Sequence, residues 1–266
     1  MTILDEIFAH KKRQVAAVQA ARPLAAVRVE AEATSVPPDF VQALRSAHRP
    51  SRSPALIAEV KKASPSRGLL CPDFDPLRLA RTYAENGAAA ISVLTDEKYF
   101  QGHLDYLRQI HTALPHTPLL RKDFVLDAYQ VYEARAAGAS AVLLIAAYLD
   151  AAQMADLHAL ILALDMAPLV EVHDAGELAA AMQLPGLKLL GVNNRNLHDF
   201  SVKLETCLAL RPLVPPEICF VAESAIHTRQ DVRRLAEAGV DAMLIGEALV
   251  VAQDRATKID ELMGET

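Results

Sequence analysis

The sequence predicts an α/β fold, a closed (βα)8 TIM barrel with an N-terminal helical extension. Three observations predict it. Apolar runs of strand length alternate with amphipathic helical stretches about eight times, the pattern of parallel βα units. Three segments repeat one design: Gly87 opens GAAAISVL, Gly138 opens GASAVLLI and Gly239 opens GVDAMLIG, each a helix-ending glycine followed by a buried strand. Their separations lie near two and four units of roughly 25 residues, a fixed period that signals repeated supersecondary units. A length of 266 residues suits one such barrel. A doubly wound open sheet is the alternative architecture.

The elements follow in order. Residues 3–20 read as a helix with Ile3, Ile7, Val15 and Val18 on one apolar stripe. Pro37-Pro38 breaks the chain, Asp39 can cap a short helix through Ala47, and Pro50 and Pro54 punctuate a polar stretch. This places a helical extension at residues 1–50 and the barrel at 51–266, together one structural domain. Eight strands are predicted, at 55–60, 89–94, 118–122, 141–146, 167–172, 187–192, 217–222 and 242–246. Asp75 precedes Pro76 as an N-cap ahead of proline at the first helical position. Asp127, Asp150 and Asp174 can cap likewise, and Thr228 with Asp231 forms a capping box with the shorter acid. Gly246 opens the last helix.

Composition excludes several classes. Hydrophobic residues make up 52% and charged residues 23%, which supports a packed core rather than disorder. The longest apolar run, Ala141 to Leu149, is too short to cross a membrane. The first residues, MTILDEIFAHKKRQ, place acids before bases and lack the apolar core of a secretory signal. Lys11-Lys12-Arg13 reads as a solvated face. A net charge of −6 argues against nucleic-acid partners, which need clustered basic charge. Cys71, Cys207 and Cys219 form no CxxC and no even framework, which points to the reducing cytoplasm. The glycines offer no GxG, and Val192 follows Gly191 where a phosphate loop needs Lys. The histidines form no HxH or HExxH, and His111 and His116 read as solvated or capping residues rather than metal ligands.

In a barrel of this kind, chemistry sits where strands end and βα loops begin. Glu59, Lys61, Lys122, Glu171, Asn193, Arg195, Glu223 and Ser224 fall there, from the first, third, fifth, sixth and seventh strands. Buried charge is costly without partners, so charged ends on apolar strands are informative. Lys61 and Lys122 point into one mouth, where each lowers the other's pKa and Glu59 or Glu171 raises it. Such a cluster can keep a protonated lysine as general acid beside an ionised carboxylate as base. A structural ion-pair network closing the barrel top is the other reading. Asn193 and Arg195 can hold a hydroxyl or carboxylate, or cap their own loop. EVKKASPSRG (59–68), Ser224-Ala225 and Gly246-Glu247 supply serines, lysines and helix starts where barrels commonly bind phosphate, after strands seven and eight. Ordinary turn chemistry is the alternative for each segment alone.

These segments resemble one family. EVKKASPSRG is similar to the E-x-K-x-x-S-P-S-x-G signature of indole-3-glycerol-phosphate synthases. VLTDEKYFQG (93–102), the stretch 119–147, LVEVHD (169–174), GVNNRNL (191–197), AESAI (222–226) and LIGEAL (244–249) follow in the family's order. The resemblance covers residues 55 to 250, and the helical extension fits it too.

The resemblance implies a carbon–carbon lyase of tryptophan biosynthesis, needing no cofactor and no metal. Its substrate is the phosphorylated 1-(2-carboxyphenylamino)-1-deoxyribulose 5-phosphate, which is cyclised, decarboxylated and dehydrated to indole-3-glycerol phosphate. Lys122 matches the general acid, and Lys61 a lysine that contacts the anionic substrate and assists later proton transfers. Glu171 matches a catalytic carboxylate, and Glu59 a second that orients lysine or acts as base. Asn193 and Arg195 match substrate-positioning residues, with Glu223 beside them. Ser64, Ser224 and the backbone near Gly246 match the phosphate site, with Ala225 and Glu247 at the same location. Phe100 and Phe124 match apolar walls around the aromatic ring, with a packed core side chain as the alternative for Phe124. Ala225 stands where the family usually has Gly, and His103 where it usually has Ser; His103 reads as a surface or helix-cap change. The family includes monomers, and no oligomer is implied. A Schiff-base sugar-phosphate lyase and a non-catalytic phospho-ligand-binding barrel are the competing readings of the same lysines and loops. The extension can close over the mouth or pack as a stabilising helix pair.

Overall fold

The structure is a computed structural model that describes residues 3–48, 53–196 and 201–264. The predicted boundary at residues 50 and 51 lies outside these residues, as do Pro50, Leu197 and the side chain of Ile3. Three helices come first: α1 (Ile3–Ala21), α2 (Leu24–Ala33) and α3 (Phe40–Ala47). The ring begins with β1 (Ala55–Val60). Its loop folds into a small antiparallel hairpin of β2 (Ala63–Ser64) and β3 (Gly68–Leu69). Strands and helices then alternate: α4 (Pro76–Glu85), β4 (Ala90–Leu94), α5 (Glu97–Phe100), α6 (Leu104–Ala113), β5 (Leu119–Lys122), α7 (Ala128–Ala136) and β6 (Ala141–Ile145). They continue with α8 (Ala151–Ala163), β7 (Ala167–Val172), α9 (Ala175–Ala181), β8 (Leu189–Asn193), α10 (Glu205–Leu210) and β9 (Cys219–Glu223). The last elements are α11 (Arg229–Glu237), β10 (Ala242–Ile245), α12 (Glu247–Val250) and α13 (Arg255–Met263). β1 pairs in parallel with both β10 and β4, which closes the barrel. Among the described residues, no helix is long and apolar enough to cross a membrane.

The predicted caps form. Asp39, Asp75, Asp127, Asp150 and Asp174 each accept a backbone N–H of the following turn, and Thr228 with Asp231 makes the reciprocal box. His103 caps α6, accepting from the Asp105 amide at 3.1 Å. Gly87, Gly138 and Gly239 have φ of 90°, 90° and 75°, the left-handed turn that leads each helix into its strand.

Other expectations need correction. α2 was not predicted; it starts after Pro23 with no capping side chain, so no local signal marks it. Ile7 and Val15 are buried as predicted, but Val18 is 36% exposed, because the stripe that α1 buries takes in Lys11 rather than Val18. Gly246 precedes α12, a single turn, while the last helix is α13, capped by Asp254. Lys11 is not solvated: it is 2% exposed and lies 2.7 Å from Asp96 and 2.8 Å from Asp123.

Side chains alternate along each strand, so every second residue points into the ring. The lower interior is small: Ala55, Ala90, Ala141 and Ala242 belong to one buried cluster with Phe40 and Leu44 of α3. These alanines leave a space that α3 fills as a plug, and Arg45 of α3 donates to the Glu217 carbonyl. α2 packs on α7, where Arg135 donates to the carbonyls of Thr34 and Ser35. α1 lies across the opposite end and lends Leu4 and Ile7 to the cavity there. The two readings of the extension therefore apply to different helices.

Leu44→Ala opens a cavity in the plug and is expected to destabilise the chain by about 2–5 kcal/mol, against nearly nothing for Val29→Ala on the exposed face of α2. Urea unfolding midpoints read the difference.

Candidate active site

The same alternation aims a second set of residues at the upper mouth. Following Ile57, Leu120, Leu169, Val221 and Leu244, the next inward positions are Glu59, Lys122, Glu171, Glu223 and Gly246. One cavity at that mouth is lined by every predicted site residue: Glu59, Lys61, Ser64, Phe100, Lys122, Phe124, Glu171, Asn193, Arg195, Glu223, Ser224, Ala225, Gly246 and Glu247. None of them falls elsewhere.

Lys122 is the centre of charge. Its Nζ lies 3.0 Å from Glu171 Oε2 and 2.8 Å from Glu223 Oε2. Burial pushes the Lys122 pKa down, but Glu171, Glu223 and Glu59 outweigh it and hold the ammonium above its ordinary value. For Lys122 the carboxylates therefore outweigh any depression. Lys61 instead pairs with Glu59 at 2.7 Å. The two carboxylates beside Lys122 diverge. Burial raises Glu171, but Lys122 and His173 pull it well below the usual range. Burial and the neighbouring Glu171 charge push Glu223 up to about 7, against the pull of Lys122. One acid is thus held ionised while the other has its proton affinity raised, the separation that acid–base chemistry needs.

Several supporting residues escaped the sequence reading. His173 lies 3.3 Å from Glu171 and 3.0 Å from Glu177, so it spans the two acids. Asn194, the neighbour of the predicted Asn193, is buried; its amide donates to the carbonyls of Glu223 at 3.0 Å and Ser224 at 3.3 Å. Asn193 Oδ1 accepts from the Arg195 amide at 3.1 Å, so it also shapes its own loop. Strand parity could have flagged His173, which follows an inward acid; nothing local distinguishes Asn194 from Asn193.

Backbone constraints hold the loops predicted to take phosphate. β9 and β10 are neighbours, so the loops at 224–226 and 246–248 lie side by side at the cavity. Ser224 and Ala225 have φ of 63° and 62°, a left-handed pair that costs an L-residue roughly 1 kcal/mol each. A Cβ on Gly246 would stand 2.4 Å from Glu59 Oε1 and 2.9 Å from Lys61 Nζ, so only glycine leaves that pair in place. The Ser64 hydroxyl is buried and has no partner within the described protein. Glu247 is offset by Arg67 at 3.3 Å and Arg195 at 3.8 Å, which tempers its repulsion of an anion. Phe100 and Phe124 face each other across 6.0 Å, and Phe8 of α1 meets Phe124 edge-on at 5.4 Å. Phe124 is therefore both packed and cavity-lining.

A closed barrel with a buried lysine–carboxylate relay at the C-terminal ends of its strands is a (βα)8-barrel enzyme built for acid–base work on an anionic small molecule. Comparison with known proteins makes the class specific. The chain belongs to the indole-3-glycerol phosphate synthase family, whose model matches residues 4–262. It is 54% identical over 260 residues to the indole-3-glycerol phosphate synthase of Albidiferax ferrireducens, covering 98% of this chain and 97% of that one. The Roseiflexus castenholzii protein of the same name is 53% identical, with 99% and 98% covered. Among solved structures, the 3-hexulose-6-phosphate synthase of Salmonella typhimurium shares the fold with a TM-score of 0.64 at 14% identity, over 79% of this chain and 97% of that one.

Variants at two positions test this geometry. Ala225→Val puts a β-branched residue at positive φ and is expected to lose about 1–2 kcal/mol or more, whereas Ala225→Gly is neutral or stabilising; melting temperatures report both. His173 has its pKa lowered by burial but raised more by Glu171 and Glu177, from 6.5 to about 10. The folded state thus binds this proton more tightly than the unfolded chain, so the stabilisation is whole below pH 6.5 and is lost as pH rises through about 10. His173→Asn should therefore cost most stability near pH 6, with the gap to the unaltered chain closing towards pH 10 in denaturant titrations.

Proposed function

We propose that this chain converts 1-(2-carboxyphenylamino)-1-deoxyribulose 5-phosphate to indole-3-glycerol phosphate, releasing carbon dioxide and water. The observation that carries the reading is Lys122, held charged between Glu171 and Glu223 in a cavity with an aromatic side and a phosphate side. The ring carbon bearing the carboxylate forms a bond to the ketone carbon, and the ketone oxygen takes a proton from the Lys122 ammonium. Carbon dioxide then leaves, and the electron pair of the broken carbon–carbon bond restores the aromatic ring. The new hydroxyl leaves as water after gaining a proton, and the adjacent carbon gives one up to a base. Glu223 is suited to that exchange because burial and the Glu171 charge raise its proton affinity, while Glu171 keeps the lysine charged. Lys61 and Glu59 are assigned to the substrate carboxylate and the later proton transfers. Ser64, Ser224 and the backbone at Ala225, Gly246 and Glu247 take the phosphate, Phe100 and Phe124 flank the ring, and Asn193 and Arg195 position the sugar hydroxyls.

A Schiff-base route requires a neutral amine. The two carboxylates that hold Lys122 charged disfavour it, and Lys61 at 2.7 Å from Glu59 is similarly engaged. The three cysteines are buried free thiols, which suits a reducing cytoplasm. We assign the active form to a monomer, with an extension at 1–50 serving a barrel at 51–266. The net charge of −6 supports a small anionic ligand rather than nucleic acid as partner.

The chain contains no tryptophan, so indole emission is a clean signal. With substrate and no added metal, emission should rise at catalytic enzyme levels. Lys122→Ala should slow that rise by about 10²–10⁴-fold, the span that a general acid typically supplies. A near-normal rate in this variant would overturn the assignment of Lys122.

A further inference from the structure

We infer that Lys11, on the N-terminal extension, is a positioning residue that fixes the two aromatic walls of the substrate cavity. The inference rests on the proposed reading in which Phe100 and Phe124 flank the substrate ring. Lys11 lies outside the cavity lining, yet its ammonium bridges two buried carboxylates, Asp96 at 2.7 Å and Asp123 at 2.8 Å. Each of those carboxylates also organises the backbone beside one wall. Asp96 Oδ1 accepts from the Tyr99 amide at 2.8 Å and caps the single turn α5, which ends at Phe100. Asp123 Oδ1 accepts from the Phe124 amide at 2.8 Å. The rest of the cluster is spoken for: Asp123 Oδ2 accepts from Thr95 at 2.6 Å and Arg121 at 3.1 Å, and Arg121 also meets Glu133 at 3.3 Å. Without Lys11 the Asp96 charge has no cation partner among these groups, and Asp123 keeps only Arg121. Two buried like charges would then push the loops after β4 and β5 apart. The same helix delivers the steric half of the latch. Phe8, three residues before Lys11 and so on the same face of α1, packs edge-on against Phe124. Lys11 thus couples docking of the extension to the spacing between Phe100 and Phe124, while the phosphate-side loops at 224–226 and 246–248 are held by other residues.

That asymmetry makes the inference testable in the full chain. Turnover of the carboxyphenylamino substrate is measured together with competitive inhibition by 2-aminobenzoate, a probe of the aromatic side, and inorganic phosphate, a probe of the other. Lys11→Met is expected to raise KM and the 2-aminobenzoate inhibition constant about tenfold, with kcat within about threefold and the phosphate constant within about twofold. Lys12→Met, on the exposed side of α1, should match the unaltered chain. Equal weakening of both inhibitors, or no change in either, overturns the inference. If Lys11→Met does not fold, Asp96→Asn decides: it keeps the Lys11–Asp123 pair, and a selective loss of 2-aminobenzoate supports the latch while a uniform or absent effect overturns it. An unaltered chain that makes no indole and binds no 2-aminobenzoate overturns the substrate reading itself, and the Lys11 assignment with it. An active unaltered chain with an unselective Lys11→Met variant overturns only the latter.

Discussion

Lys122 brings a full positive charge to the end of β5, above a barrel interior that is apolar below the mouth. It stays charged because β7 and β9 deliver Glu171 and Glu223 to the same level of the interior. Much of the mouth follows from that requirement. Gly191 must lack a side chain, since a Cβ there would stand 2.4 Å from Glu223 Oε1. His173 and Glu177 hold Glu171 from behind, and Asn194 pins the carbonyls of Glu223 and Ser224. The groups that make polar residues tolerable in the core are also those that separate an ionised acid from an exchangeable one. Stability and reactivity are here two aspects of one charge arrangement.

The segment before the barrel serves both ends of it. α3 plugs the lower opening, where alanines leave space, and α1 roofs the upper one with Leu4, Ile7 and Phe8. Between them, α2 rests on α7 through the Arg135 contacts. Apolar packing sets the lower seal, and a buried ion pair with an aromatic edge contact sets the upper. The upper seal is therefore the more directional of the two, because an ammonium between two carboxylates tolerates little displacement.

Features with a local cause were legible in the sequence. Aspartates and Thr228 announced helix starts, left-handed glycines announced helix ends, and apolar runs announced every barrel strand. The site was legible for a related reason: a two-residue period and the rule that chemistry gathers at strand ends suffice to put Glu59, Lys122, Glu171 and Glu223 together. What stayed hidden depends on partners far along the chain. Lys11 looked solvated because Asp96 and Asp123 lie on two later loops. Val18 looked buried because the stripe on α1 turns towards Lys11. α2 has no capping residue, and the value of Asn194 over Asn193 depends on a carbonyl from β9. Ala225 was noticed as a departure from its family, but only the backbone angle shows that it adopts the left-handed conformation.

The plug has a consequence for the order in which the molecule can assemble. α3 contacts β1, β4 and β9, so the surface it seals does not exist until a strand near the end of the chain is in place. α3 precedes the described barrel strands, so its contacts with β1 and β4 can form early while its contact with β9 must wait until most of the barrel has been synthesised. Ring closure by β1 and β10 and completion of the seat for α3 are therefore both long-range events, of the kind that slow folding relative to local contacts.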